Sequence, residues 1–347
     1  MKAIVLREFG APEVLRLEVP PTPTPGAGEV LVEVRSVSVN RTLDLVVRAG
    51  KYPSDVSLPL VLGVDPAGIV AAVGDGVERP KVGDRVVVVS MIACGACRFC
   101  RAGEEANCLK SRHIGVHRWG GYAEYVAVPA SNVYPIPDRL SFAEATVITR
   151  HFPMAFNQLV NKAKVQAGEW VLVMGATGAL SSCCVQVAKL MGAKVIAGAG
   201  ADERVAAALS YGADFGVNYR EKNLAQEALR ITDGRGVDVG VENIADPTLW
   251  PGAFNSLGMG GRLVTAGAHG GGEVTLDVKR LYLKRIQVTG TAGTNRKDVE
   301  RALEAAASKK IRAIIDRTMP LGEAAAAHRI MEEQQILGKI ILTPMQN

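Results

Sequence analysis

Up to about residue 150 the apolar positions come in short runs, Ala3 to Leu6, Glu29 to Val37, Gly68 to Val73, Arg85 to Ser90 and Tyr122 to Val128, broken by Pro and Gly. Runs of this kind between turn formers predict strands, and their close punctuation predicts a compact, barrel-like β domain. From Trp170 the rhythm changes. The apolar segments WVLVMG, KVIAGA, FGVNY, VDVGVEN, RLVTAGA and IQVTGTA alternate with helical patterns, among them Leu180 to Met191 and Glu203 to Tyr211. Parallel strands need helical crossovers, so the alternation predicts an α/β protein with a doubly wound parallel sheet. The closing stretch, KIRAIIDRTMPLGEAAAAHRIMEEQQILGKIILTP, carries strand, helix and strand signals that do not extend the series. It is expected to return to the first domain.

Length agrees with two domains, since 347 residues exceed the usual size of one core. The 40 Lys+Arg are scattered against 35 Asp+Glu, with no block of like charge, which argues against nucleic acid or a membrane surface as partner. Apolar stretches such as Val86 to Val89 and Ile340 to Leu342 fall far below the roughly 20 residues of a membrane helix. Arg7 and Glu8 interrupt any signal-peptide core in MKAIVLREFG, so a cytoplasmic enzyme acting on a small molecule is expected.

The loop Gly175, Ala176, Thr177, Gly178, Ala179, Leu180 and Ser181 joins the first strand of the alternating half to its first helix. Glycines there let backbone approach a pyrophosphate, and the helix N-terminus supplies N–H donors. A plain tight turn is the other reading of Gly175 and Gly178; their place in a βα series favours a dinucleotide. The second strand ends in Ala199-Gly200-Ala201, without the carboxylate that would bind a ribose 2′-OH. Arg204 follows, and Tyr219 and Arg220 close the third strand, so NADPH is favoured over NADH. Arg204 as a solvated helix residue is the alternative. Asn243, ending VDVGVEN, and Gly267, in RLVTAGA, stand where strand ends face a bound cofactor in this fold.

Cys94, Cys97, Cys100 and Cys108 have the spacing C-x2-C-x2-C-x7-C. In a chain of cytosolic character such a cluster binds metal more often than it forms disulfides, and four thiolates satisfy tetrahedral zinc. An iron–sulfur cluster is the second choice, because the last spacing departs from the short ferredoxin run. Four protein ligands leave no open position, so a zinc here is structural. Cys183 and Cys184 lie on an apolar helix and read as core residues.

With LGVDPAGIVAAVGDGV, VGDRVVV, the four-cysteine segment, GGYAEYVAVPASNVYPIPD, the nucleotide loop and GKIILTP in view, the chain resembles the medium-chain dehydrogenase/reductase superfamily over nearly its whole length. That superfamily includes zinc alcohol dehydrogenases and quinone reductases. The resemblance implies a GroES-like catalytic domain over 1–150 and 293–347 with a zinc lobe at 91–112. It also implies a Rossmann cofactor domain over 151–292, an active site in the cleft between them, and a homodimer pairing through Ile286 to Ala292. The departures carry further information. Where the zinc alcohol dehydrogenases have His-Glu this chain has Val64-Asp65; Asn40 stands for their first Cys ligand, and the third falls within ITRHFPMAF, which offers Arg150 and His151. Valine cannot ligate a metal. A catalytic zinc on that ligand set is therefore not expected, and without its Lewis acidity hydride transfer suits an acceptor that spreads charge by itself. In zinc-free quinone reductases Asn, Asp and Tyr stand at the positions of Asn40, Asp44 and Tyr52; Arg41 departs from their usual Pro or His.

These positions set the candidates. Asn40 is expected to donate its amide to a developing oxyanion, or else to be a turn residue. Tyr52 is a proton donor or pocket wall, or a half-buried aromatic. Asp44 is expected to position Asn40 or the loop. Asp65 is a candidate acid, or a hydrogen-bonded structural carboxylate. His151, with Arg150, is placed to hold a cofactor or substrate anion, or is structural. His113 and His117 flank the cysteine lobe and are not expected to be ligands. Three functions follow: an NADPH-dependent reductase of quinones or α,β-unsaturated carbonyls, an alcohol dehydrogenase whose metal uses unorthodox ligands such as Asp65 and His151, and a non-catalytic nucleotide-binding protein.

Overall fold

The computed structural model describes residues 1–333 and 336–344. The chain forms two compact units, Met1–Arg150 with Glu300–Asn347, and His151–Val299. The second division thus falls seven residues beyond the expected 292/293, inside the helix Arg296–Ala307.

The first unit is built on the strand Glu29–Ser38, whose valines at 30, 32 and 34 all point into one core. It pairs antiparallel with Ala67–Val73 on one side and with Tyr125–Pro129 and Lys339–Thr343 elsewhere along its length. Arg85–Val88 and Val133–Pro135 extend the sheet at one end and Ile315–Pro320 at the other. The closing segment therefore does return to the first unit, by pairing Ile341 with Ser38 and Leu342 with Val37. A three-stranded sheet, Leu15–Glu18, Ala3–Leu6 and Leu60–Val61, packs into the same core. Tyr122 lies outside the strand predicted to begin with it. Its ring is fully buried, and its N–H bonds Leu62 O at 2.9 Å.

The second unit is a six-stranded, all-parallel sheet. Its order is Phe215–Asn218, Lys194–Ala199, Trp170–Met174, Val237–Val241, Leu257–Thr265, Gln287–Gly290. The first strand of the series is central, and the order reverses on either side of it. This is the doubly wound arrangement the alternation predicts. Trp170–Met174 is buried at every position, as a strand covered on both faces must be. The two outer strands are in part exposed, Phe215 and Val288 among their exposed residues. Among the described residues, no helix is long and apolar enough to cross a membrane.

Candidate functional site

The cysteine lobe is closed at its base by two short antiparallel strands, Met91–Ile92 and Arg112–His113. Between them the chain turns back through the helix Arg98–Arg101, and the Cys94 N–H reaches Cys108 Sγ at 3.2 Å. Cys97 and Cys100 sulfurs lie 3.5 Å apart, Cys94 and Cys100 3.9 Å, and all four sulfurs fall within 4.8 Å of one another. Zinc with four sulfurs at about 2.3 Å has sulfur–sulfur edges of about 3.8 Å, so the four thiols fit it. Backbone N–H groups of Cys100 and Leu109 hold the Cys97 thiol down at about 6, which makes a thiolate available at neutral pH. Desolvation and the neighbouring thiols push Cys100 up to about 12. Among the described residues no other group of three or more His, Cys, Asp or Glu side chains converges in this way. Cys183 and Cys184 are buried on the helix Ala179–Leu190, remote in sequence from the lobe; Cys184 Sγ donates to Gln158 Oε1 at 3.3 Å.

Asn40 and Asp65 come together in the first unit, and two cations join them. Asp65 accepts from Ser38 N at 2.9 Å, Ser38 Oγ at 2.5 Å and Asn40 Nδ2 at 3.1 Å. Asn40 Oδ1 accepts from Lys339 Nζ at 2.7 Å and Arg150 Nε at 3.1 Å, which fixes the amide's orientation. Its Nδ2 then faces Ser38 O and Oγ, both at 3.2 Å, besides Asp65. The expected donation from Asn40 to an oxyanion is corrected here: its N–H groups are already committed inside the protein. Val64 is fully buried and presents no ligand atom. Lys339 is the residue sequence reasoning missed. It is a single cation opening the apolar strand KIILT, nearly fully buried, and also donates to Val39 O at 2.8 Å.

Behind this corner lies a second buried network. Asp44 Oδ2 accepts from Asn40 N at 2.8 Å and Oδ1 from Gly63 N at 3.1 Å, so the carboxylate positions both segments. Gly63 has φ +95°, and a Cβ there would stand 2.7 Å from Tyr122 N; only glycine fits beside the Val64-Asp65 pair. Burial, then the nearby Asp65 charge, push Asp44 up to about 6. Tyr122 Oη donates to Asp44 Oδ2 at 3.3 Å and lies 3.1 Å from His328 Nε2, while Arg48 Nη1 lies 3.4 Å from His328 Nδ1. Arg cannot accept, so Nδ1 accepts and the ring proton sits on Nε2, facing the tyrosine oxygen. Burial and Arg48 push His328 down to about 3, which keeps it neutral.

Tyr52 stands apart from the hydrogen bonds of Asn40. Its ring is half-buried and meets His117 edge-on at 6.0 Å between centroids. Burial raises its phenol and the Arg150 charge opposes that rise. His117 is bonded to Ser54 Oγ at 3.0 Å and accepts the His113 N–H at 2.9 Å. Burial, Arg150 and His117 together push His113 down to about 4. His151 follows Arg150 on the helix Phe142–Phe156, and adjacent helical positions are rotated by about 100°. The two side chains therefore leave the helix on different faces.

In the second unit Gly178 caps the helix Ala179–Leu190, one residue earlier than predicted, and Ala176 N bonds Gly198 O at 3.0 Å. Gly175 has φ +56° and Thr177, within the loop, is buried. Arg204 Nη1 donates to Thr177 Oγ1 at 3.3 Å. A Cβ on Gly200 would lie 3.2 Å from Tyr219 Oη and 3.3 Å from Arg220 Nε, so the ends of the second and third strands gather Arg204, Tyr219 and Arg220 beside the loop after Ala199. The Asp202 carboxylate is turned to Asn218 Nδ2 at 3.0 Å. Asn243 is buried, with Oδ1 accepting from Gln158 Nε2 and Ala266 N, both at 2.8 Å. Its side chain thus ties strand ends together, and a Cβ on Gly267 would strike Asn243 O at 2.5 Å.

Comparison with known proteins agrees with this architecture. Residues 26–138 match the family model described as alcohol dehydrogenase GroES-like domain, and 179–308 the one described as zinc-binding dehydrogenase. The chain is similar to the NAD-dependent alcohol dehydrogenase of Sulfolobus acidocaldarius, 34% identical with 99% of each chain covered. It is likewise similar to the quinone oxidoreductase of Rattus norvegicus, 30% identical, covering 99% of this chain and 97% of the other. A solved NAD-dependent alcohol dehydrogenase superposes with a TM-score of 0.93 at 36% identity, covering 99% and 100% of the two chains. The chain belongs to the medium-chain dehydrogenase/reductase superfamily and is an oxidoreductase. Relatives with both alcohol dehydrogenase and quinone oxidoreductase names occur at similar identity.

Proposed function

We propose that the protein is an NADPH-dependent reductase that passes hydride directly to an activated acceptor, a quinone or an α,β-unsaturated carbonyl, without a catalytic zinc. The observation that carries this reading is the saturation of the corner around Asn40. Asn40 Oδ1 accepts from two cations, Asp65 accepts from three donors, and Val64 has nothing to offer a metal. An unconjugated ketone needs an electrophile on its oxygen, whereas a conjugated acceptor delocalises the incoming pair. Bound NADPH supplies the hydride; the acceptor takes a proton from solvent or protein to finish as a hydroquinone or a saturated carbonyl.

Arg204, Tyr219 and Arg220, gathered where a ribose-binding carboxylate is lacking, support NADPH by offering charge-assisted bonds to a 2′-phosphate. The cysteine lobe holds one structural zinc in this reading. The exposed edge strand Gln287–Gly290 supports a homodimer, since an uncovered parallel edge invites pairing, and a cytoplasmic location completes the proposal.

Purified protein is mixed with NADPH and a panel of quinones, enones and enoyl thioesters while absorbance is followed. Oxidation with at least one class is expected; none across the panel, with NADPH still raising thermal stability, overturns the reaction. Arg204→Ala should raise KM for NADPH about tenfold, equivalent to about 1.4 kcal/mol, and leave that for NADH unchanged. Metal analysis should return one zinc per chain, with turnover insensitive to mild chelation.

A further inference from the structure

Arg150 differs from every other charged group around Asn40. Lys339, Asp65 and Asp44 direct their polar atoms at partners inside the first unit. Arg150 is anchored at one nitrogen only, Nε on Asn40 Oδ1 at 3.1 Å, and among the described residues Nη1 and Nη2 make no hydrogen bond and the guanidinium no ion pair. Those nitrogens are not sealed off, for the side chain is half-buried and neither Nη is an orphaned buried atom. The Nε anchor sets the plane of the fork. Asn40 in turn is locked by Lys339 and Asp65, so the guanidinium is held by a chain of bonds that ends in the strand Lys339–Thr343.

Among the described residues no carboxylate forms an ion pair with the Arg150 guanidinium. Asp65, the carboxylate that shares Asn40 with it, spends its oxygens on Ser38 and Asn40. Tyr52 and His113, which feel the Arg150 charge, are a neutral phenol and a neutral imidazole at working pH. A fixed, partly desolvated cation with two open donors and no ion-pair partner among the described residues is matched to negative charge that appears during a reaction. Moreover, the resemblance sets the three ligand positions of the zinc-dependent members at Asn40, at Val64-Asp65 and within ITRHFPMAF, the segment that holds Arg150.

We propose that the Arg150 guanidinium is the electrophile of this enzyme: its open Nη groups hold the carbonyl oxygen of the acceptor and stabilise the enolate, or the hydroquinone anion, that forms as hydride arrives. The inference rests on the direct-transfer reading above. In the step, the hydride pair forms the new C–H bond at the β-carbon, the C=C pair moves to the α-carbon and oxygen, and the enolate then takes a proton at the α-carbon. Arg150 keeps its own protons throughout. The acceptor class narrows accordingly to molecules whose conjugation ends in an accessible carbonyl oxygen.

Wild type, Arg150→Met and Arg150→Lys are compared on 2-cyclohexen-1-one with NADPH, and each is titrated calorimetrically with benzoate as a planar oxyanion. The expected result is a loss of about 100-fold or more in kcat for Arg150→Met, with the NADPH-induced thermal shift retained. Partial recovery on adding guanidinium chloride, a smaller loss for Arg150→Lys and benzoate binding weakened at least tenfold are expected alongside. Should Arg150→Met fail to fold, Arg150→Gln takes its place. A kcat within about threefold of wild type together with unchanged benzoate affinity overturns the inference and leaves the proposed reaction standing. Wild type that reduces no acceptor but binds benzoate through Arg150 overturns the reaction and upholds the oxyanion site.

Discussion

The lobe around Cys94 and the corner around Asn40 belong to the same unit, and each gathers polar side chains into a small volume. In the lobe four sulfurs converge to within 4.8 Å, and backbone N–H groups favour the thiolate at Cys97. In the corner the donors are hard and mixed, an amide, a carboxylate and two cations, and each is turned to another of the set. Convergent ligands of one sign need an ion to hold them together. Paired groups of opposite sign need none, and they leave one group, Arg150, with capacity to spare. The comparison teaches that a metal site is recognised by what its ligands lack, which the first set shows and the second does not.

Breaking the lobe should have the largest effect. Structural zinc contributes binding free energy on the order of 10 kcal/mol in small modules. Cys97→Ser is therefore expected to abolish zinc binding and to expose residues 91–112 to fast amide exchange, while amides of the strand Glu29–Ser38 stay protected. Metal analysis and hydrogen exchange on the same sample check this. Loss of protection in both regions together would mean that the two are one cooperative unit and would end the contrast.

The lobe was legible in the sequence because its four cysteines lie within fifteen residues and their spacing alone points to a closed cluster. The parallel sheet was legible for a similar reason: period and punctuation change at Trp170, and each strand declares itself locally. The corner was not. Asn40 and Asp65 could be singled out, yet what decides their roles is Lys339, 299 residues from Asn40, and Arg150, 110 residues away. Charge pairing across such separations leaves no periodic signal. One local clue existed, a lysine opening a strand that is otherwise apolar, since such a cation is buried only against a partner. Tyr122 was similarly misplaced as a strand residue because its aromatic, β-favouring character says nothing of the histidine it faces, 206 residues on.

Lys339→Met sharpens the contrast from the other side. It removes the donor to Val39 O and Asn40 Oδ1 and also the positive charge that opposes the rise in the Asp44 carboxyl. Truncating one partner of a buried charged set costs about 3–5 kcal/mol, so a loss of that order is expected in denaturant unfolding. Zinc content should be unchanged. A stability within about 0.5 kcal/mol of wild type would show that the corner tolerates an unpaired Asn40 and that the pairing described is incidental.

The smallest effect concerns protons in the network behind the corner, where two groups are shifted in opposite directions. His328 is held at about 3 in the fold against 6.5 ordinarily, so between these values the unfolded chain binds a proton that the folded one does not. Its contribution is complete above about 6.5 and is lost as pH falls toward 3. Asp44 is raised to about 6 from 3.8, so the folded chain holds the extra proton and its contribution declines as pH rises through 6. Between about pH 4 and 6 the two slopes oppose, and wild type shows little of either. His328→Gln removes one of them. The difference in unfolding free energy between wild type and variant should then grow with pH, by up to about 1.4 kcal/mol per unit, and level off near 6.5. A difference that does not change with pH would mean that His328 carries its proton in the fold, and the neutral relay from Arg48 through His328 and Tyr122 to Asp44 would have to be redrawn.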